Sequence, residues 1–207
     1  MPTETEIKLE LDAAGAERVV ALGVVERRIQ QLNVYYDDAS RPASHGLTVR
    51  IRFTPGAPGL LTVKLPRSWE GFRRTMEEIE VELVAGVGGR GRSAPRQIDV
   101  ERDLPRDLAE TLRVHGYSRL RRSGWARNQR TVVALPGAAT VEVDRLRLPD
   151  GTTIYEVEIE TPDRVASDRA VAMIQQAVPG ARPSRVGKYE RFRAALLRVG
   201  GGRDSPQ

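Results

Sequence analysis

The sequence predicts an α+β protein, mainly β, in which eight antiparallel strands close into a barrel flanked by helices. Two observations carry this expectation. Several stretches alternate charged with aliphatic residues so strictly that each reads as a strand with one charged face, because residues two apart share a face of a strand. These strands number about eight and are joined by hairpins or short helices, which implies an antiparallel sheet closing on itself. A third observation, at least three amphipathic helices, bears on which face of the sheet looks inward.

The first strand runs from Thr3 to Leu11, where Glu4, Glu6, Lys8 and Glu10 share one face and Ile7, Leu9 and Leu11 the other. A short helix follows over 13–22, with Asp12 as its N-cap. Residues 29–37 read as a strand and 38–46, rich in Ser, Pro and Gly, as a loop. Strands 47–53 and 60–65 form a hairpin and carry Arg50, Arg52 and Lys64 on one face. A loop over 66–72 leads to a strand around Glu78, Glu80 and Glu82, with Arg74 in the same register. Residues 86–97 read as an internal flexible loop.

A helix is expected over 103–115, with Pro105 near its start, Leu104, Leu108 and Leu112 on one stripe, and Gly116 as its stop. Strands follow over 118–122, 125–135, 140–146 and 153–160. The last two carry Glu142 and Asp144, then Glu156, Glu158 and Glu160, on single faces. Thr161 and Pro162 open a helix to about residue 178. A final helix over 187–199 places Phe192, Ala195, Leu196 and Val199 on one side. The expected organisation is a single domain over 1–199 with a disordered tail over 200–207.

If the charged faces looked outward, the interior would be an ordinary aliphatic core. If inward, the barrel is a polar tunnel and the helices cover its aliphatic exterior. The helices must bury their stripes somewhere, which favours the tunnel. Confined charges are costly without partners, several kcal/mol per ion even after relaxation. Acids and bases pair in part. Surplus carboxylates suit divalent cations such as Mg²⁺, and surplus Arg and Lys suit a phosphate chain.

Composition narrows the chemistry. The 207 residues carry a net charge of +5 and no cysteine, so disulfides and thiolate metal sites are excluded and any metal is held by oxygen. The two histidines, His45 in a loop and His115 at a helix end, argue against a zinc enzyme or a His-based triad and read as structural. Bases interleaved with acids and few aromatics count against nucleic-acid binding. Trp69 and Trp125 read as packing residues. Gly86-Val87-Gly88-Gly89 is no phosphate loop, because no Gly-Lys-Ser/Thr follows. Without a membrane-length apolar run or signal-peptide pattern, the expected location is cytoplasmic and no membrane partner is expected.

The N-terminal Glu4-x-Glu6-x-Lys8 pattern resembles the signature of the CYTH superfamily, the triphosphate tunnel metalloenzymes. Further blocks resemble that family in order: Tyr36-Asp37 with Leu47, Arg50 and Arg52; Thr62-Val63-Lys64; Arg74 with Glu78 and Glu80; Arg130; Asp144; Glu158-Ile159-Glu160; and Ser184 with Lys188-Tyr189. Met76 stands where an acid is expected, and Asn128 where many members have a base. The resemblance implies an eight-stranded tunnel in which Lys8, Arg50, Arg52, Lys64, Arg74, Arg130 and Lys188 grip a triphosphate. It assigns Glu4, Glu6, Glu78, Glu80, Asp144, Glu158 and Glu160 to two Mg²⁺ or Mn²⁺ ions, with Glu6 and Lys8 central to catalysis.

The implied activity is hydrolysis of a small-molecule triphosphate, foremost inorganic triphosphate, with nucleoside or thiamine triphosphates as further substrates. Alternatives are an adenylate cyclase of the class sharing this fold, or a non-catalytic module binding polyphosphate or nucleotide. The many carboxylates speak against the last. A monomer or homodimer is expected. Asp37 reads either as a turn cap or as a residue supporting the site from behind.

Overall fold

The computed structural model describes residues 3–38, 47–71, 73–83 and 94–200, with only the backbone of Thr3, Glu4 and Trp69. In chain order the elements are β1 (Thr3–Leu11), α1 (Ala13–Val20), β2 (Val24–Asp38), β3 (Thr48–Phe53), β4 (Leu60–Glu70), β5 (Arg73–Glu82), β6 (Gln97–Asp99), α2 (Val100–Asp103), α3 (Arg106–Val114), β7 (Arg119–Ala134), β8 (Thr140–Arg147), β9 (Thr153–Glu160), α4 (Arg164–Ala177), β10 (Arg182–Pro183) and α5 (Lys188–Gly200).

Eight of these strands close in the order β1-β5-β4-β3-β2-β7-β8-β9 and back to β1, every pair antiparallel. The short strands β6 and β10 extend the sheet at β7 and β1. No described helix is long and apolar enough to cross a membrane.

The charged faces look inward. Glu6, Arg50, Arg130, Asp144, Glu156 and Glu158 are all buried. Their aliphatic alternates point outward into two separate apolar layers. In one, Val49, Ile51, Leu61 and Val63 meet Leu104, Leu108 and Leu112, the stripe around α3. In the other, Ile7, Leu9, Val141, Val143, Val157 and Ile159 meet Ala16 and Val19 of α1 and Ala170 and Ile174 of α4. Burying each such aliphatic side chain contributes about 1.5–3 kcal/mol. That gain is the term that offsets the cost of a charged lumen. A third layer sits inside one end of the barrel, where Phe192 and Ala195 of α5 pack on Tyr35, Ala126 and Leu146. These three strand residues share the parity of the charged positions, so α5 closes that end as a plug.

Several boundaries differ from the sequence expectation, each for a local reason. Residues 66–70 are strand, not loop: β4 continues through Pro66 by a register shift between Pro66 and Ser68, and a bulge tolerates a missing N–H. The stretches 118–122 and 125–135 form one strand, β7, because Gly124 sits under Phe192 and a shift between Tyr35 and Tyr36 of β2 absorbs the irregularity. The helix expected over 103–115 is α3, which starts at Arg106 with Pro105 as its N-cap, and the short helix α2 before it, Val100–Asp103, lies outside that expectation. Asp163, not Thr161, caps α4, accepting from the Ala166 N–H. β2 begins at Val24, five residues earlier than its apolar pattern suggests. Val199 is exposed, not part of the α5 stripe, and Trp125 is half-exposed instead of packed in a core. His45, most of the 86–97 loop and the tail lie outside the described residues.

Candidate active site

Inward-facing residues of the barrel and the first turn of α5 enclose a polar cavity of about 230 Å³. Its lining falls into two chemically opposite walls. Arg50 and Arg52 on β3, Lys64 on β4 and Arg74 on β5 form a basic wall. Glu6 on β1, Glu142 on β8, and Glu158 and Glu160 on β9 form an acidic one, with Lys8 and Arg130 set into it. Strand register explains the grouping. β1 and β9 pair so that Glu6 faces Glu160 and Lys8 faces Glu158, while β8 and β9 set Glu142 opposite Glu158.

The basic wall carries its own acids. Lys64 reaches Glu78 at 2.8 Å and Arg50 approaches it at 3.8 Å, while Glu80 accepts a 3.0 Å hydrogen bond from Thr62. Met76 lines the cavity between Arg74 and Glu78, a gap in the charge pattern.

Deeper in the acidic wall lies a dense ion network. Arg130 grips Asp144 with two parallel bonds, Nε to Oδ1 at 2.9 Å and Nη2 to Oδ2 at 2.7 Å, and reaches Glu158 at 2.6 Å and Glu142 in close contact. Lys188 projects from the start of α5 into three carboxylates, at 2.5 Å from Asp144, 2.9 Å from Glu156 and 2.8 Å from Glu158. Asn128 adds a hydrogen bond to Asp144 at 2.9 Å and one to Gln31 at 3.0 Å. Lys8 closes the row, 2.7 Å from Glu158 and 3.3 Å from Glu6.

These neighbours set the protonation states. Burial pulls the Lys8 pKa down, but Glu158 and Glu6 outweigh it and hold the ammonium above its ordinary range. Lys188 is held well above its ordinary value in the same way, burial being outweighed by Asp144, Glu156 and Glu158. Burial would raise Asp144 and Glu158, yet Lys188 with Arg130, and for Glu158 also Lys8, keep both below the usual carboxylate range. Glu142 goes the other way. Burial pushes it up to about 7 despite its contact with Arg130, because that guanidinium is already shared with Asp144 and Glu158.

Two carboxylate groups bring their oxygens within 4.8 Å of one another: Glu142, Glu158 and Glu160 at the cavity, and Asp144, Glu156 and Glu158 behind it. The second group is occupied by the Lys188 ammonium. The first opens on the cavity, where Glu142 Oε2 meets Arg130 and the neighbouring Glu6 Oε2 lies 3.3 Å from Lys8. Three carboxylates whose oxygens converge on the cavity form an all-oxygen donor set of the kind a hard divalent cation takes.

The expected residues Glu6, Lys8, Arg50, Arg52, Lys64, Arg74, Glu78, Glu80, Arg130, Glu158, Glu160 and Lys188 all line this one cavity. Asp144 lies behind it, and the side chain of Glu4 lies outside the described residues. Glu142 and Glu156 belong to the same network; both were legible from strand parity, and neither stands out as a motif. Asp37 sits behind the site. It accepts from the Tyr189 hydroxyl in close contact and from Ser123 Oγ at 2.7 Å, fixing the residue next to Lys188.

The fold and site together define a tunnel: a closed antiparallel barrel whose charged lumen is acidic on one side and basic on the other. Residues 2–192 match the CYTH domain, and the chain belongs to that family. No curated protein matches the sequence. Among solved structures, the chain is similar to an adenylyl cyclase candidate from Hippeastrum described as having a dominant triphosphatase activity, with TM-score 0.74, 23% identity, and 92% of this chain and 95% of that one covered. It is also similar to an adenylate cyclase candidate from Bacillus halodurans, with TM-score 0.70, 17% identity, and 93% and 99% covered. A third, from Vibrio parahaemolyticus, has TM-score 0.54, 16% identity, and 92% and 97% covered. At these identities the likeness establishes the shared fold.

Proposed function

We propose that the protein is a divalent-metal-dependent triphosphatase that hydrolyses inorganic triphosphate to phosphate and diphosphate inside the barrel. The observation that carries this reading is the two-walled cavity: four bases face an open carboxylate cluster across a small polar space. Mg²⁺ or Mn²⁺ at Glu142, Glu158 and Glu160, with Glu6 beside them, would supply charge neutralisation and a water of lowered pKa. Arg50, Arg52, Lys64 and Arg74 hold the phosphate oxygens and stabilise the charge that spreads over them during transfer.

Lys8 acts as a cation. Held protonated by Glu158 and Glu6, it is no general base, and it orients the chain or the attacking water from the acidic side. Lys188, Arg130 and Asp144 hold the carboxylates in place from behind. Among the described residues the cavity offers no free aromatic face for an organic group, since the Tyr35 and Tyr189 rings that border it pack with Phe192. That favours the inorganic substrate.

A panel of inorganic triphosphate, ATP and thiamine triphosphate, each assayed with Mg²⁺, Mn²⁺ and chelator, tests the reading. Metal-dependent release of phosphate and diphosphate from inorganic triphosphate is expected. Cyclic AMP and pyrophosphate from ATP would make the protein a cyclase, and tight triphosphate binding without turnover would make it a binding module.

A further inference from the structure

The outer face of the barrel carries a second charged surface unrelated to the lumen. On β2, β7 and β8 the residues alternating with the buried lumen positions point away from it. Among the described residues, Gln30, Arg127, Gln129, Arg145 and Arg147 at the centre of these strands are exposed, while Leu32 and Tyr155 at the edges pack into the apolar layers. Register places Leu32, Arg127, Arg147 and Thr153 in one cross-strand row, with Gln30, Gln129, Arg145 and Tyr155 in the next. Arg28 lies one row further, opposite Thr131. Beyond that row, Val143 and Val157 pass into the apolar layer under α1 and α4.

Arg28, Arg127, Arg145 and Arg147 are all exposed. Arg127 and Arg147 stand directly opposite each other, a like-charge pairing that destabilises a sheet. None of the four makes an ion pair among the described residues; Arg145 reaches only the Gln129 side chain, at 3.4 Å. Neither row contains an acid. Beside this patch Trp125 is 49% exposed, and the Arg127 guanidinium lies 5.3 Å from its ring centroid. Arginines two apart on one strand stand about 6.7 Å from each other, and neighbouring strands about 4.8 Å apart. The result is a compact grid of cations with an aromatic edge.

We infer that this face is a docking surface for single-stranded nucleic acid. Unpaired, mutually repelling guanidinium groups call for an external chain of phosphates. The half-exposed indole with its neighbouring guanidinium offers the stacking platform by which such proteins hold bases. An inorganic polyphosphate would use the arginines and leave Trp125 idle. An anionic lipid surface would call for protruding aliphatic side chains, and Leu32 in these rows is half-buried. In the sequence these arginines are dispersed among other residues; strand pairing gathers them.

The test is fluorescence anisotropy of the full chain with a labelled oligouridylate of about 15 nucleotides bearing a 5′-hydroxyl, which has no triphosphate to offer the lumen. Expected is salt-dependent binding that the double variant Arg127→Gln/Arg147→Gln weakens about tenfold or more, lowering the slope against log salt by roughly 1.4. Trp125→Ala is expected to weaken binding at least about fivefold and to abolish oligonucleotide quenching of indole fluorescence. Excess inorganic triphosphate leaves the complex intact. Thermal unfolding verifies that each variant is folded, and Arg147→Gln alone replaces the double variant if that one is not. Binding indifferent to these substitutions, or displaced by inorganic triphosphate, overturns the inference. So does an absence of binding at low salt. Loss in the arginine variants with no effect of Trp125→Ala also overturns it, since the surface would then read charge alone.

Discussion

Glu158 links the two carboxylate groups: it belongs to both, and Lys8, Arg130 and Lys188 all contact it. Neutralising it takes one carboxylate from each of three buried cations, so Glu158→Gln is expected to abolish turnover and to lower stability by roughly 3–5 kcal/mol. Glu6→Ala is expected to abolish turnover with less effect on folding. Arg52→Ala, on the basic wall and free of that network, is expected chiefly to raise KM, by about tenfold or more, with kcat changed less. Steady-state kinetics on the three variants separates the walls.

Glu142 gives a pH signature. Its folded pKa of about 7 stands above the ordinary 4.5, so the folded protein binds the extra proton and loses stability as pH rises from about 4.5 through about 7. In metal-free protein, Glu142→Gln removes a cost on the order of 3 kcal/mol. Its melting temperature is therefore expected to pull ahead of the wild type across that interval, and a constant difference would refute the assignment. At this scale the motif residues were legible because charge in a strict two-residue alternation has few explanations. Trp125 was not, because whether an aromatic residue lies under a helix depends on where the helices dock. Strand parity alone cannot supply that.

Among the elements, α5 has the largest leverage. It plugs one end of the barrel with Phe192 and Ala195 and delivers Lys188 into the carboxylates. Arg191, bonded to Glu10 and, at 2.9 Å, to Ser184, ties it to β1, and Asp37 ties Tyr189 to β2. Gly124 of β7 leaves the space the plug needs: a Cβ there would stand 2.9 Å from Phe192 Cζ. Gly124→Ala is expected to destabilise by about 1–3 kcal/mol and to depress turnover by displacing Lys188, read by denaturant unfolding and by activity. Full activity at unchanged stability would show that α5 does not set the site.

The strand pattern announced the inward charged face, but the helix at 187–199 gave no sign of entering the barrel. Its apolar stripe looks like any other amphipathic helix. The extension of β4 through Pro66 and the fusion of two expected strands into β7 were hidden for a similar reason. Local turn signals such as proline and glycine were overruled by pairing with partners distant in sequence.

At the scale of the whole molecule the barrel is inverted relative to an ordinary one. Its apolar layers lie outside, under α1, α3 and α4, and its ions inside. The closed ring of eight antiparallel strands was legible from strand count and alternation, and its polarity from the helices that must bury their stripes. The division of the lumen into an acidic and a basic wall was not, because it depends on strand order around the barrel. β1 lies between β9 and β5, bringing the first and the later acids together, while Arg50, Arg52 and Lys64 face them from β3 and β4.

The central claim is that the acidic wall holds metal and the basic wall holds phosphate within one cavity. Anomalous scattering from Mn²⁺ in crystals grown with inorganic triphosphate measures this directly. The account predicts a manganese peak inside the barrel at Glu142, Glu158 and Glu160, with triphosphate between it and Arg50 and Arg52. A peak confined to the outer surface, or triphosphate bound with no metal in the lumen, would contradict it.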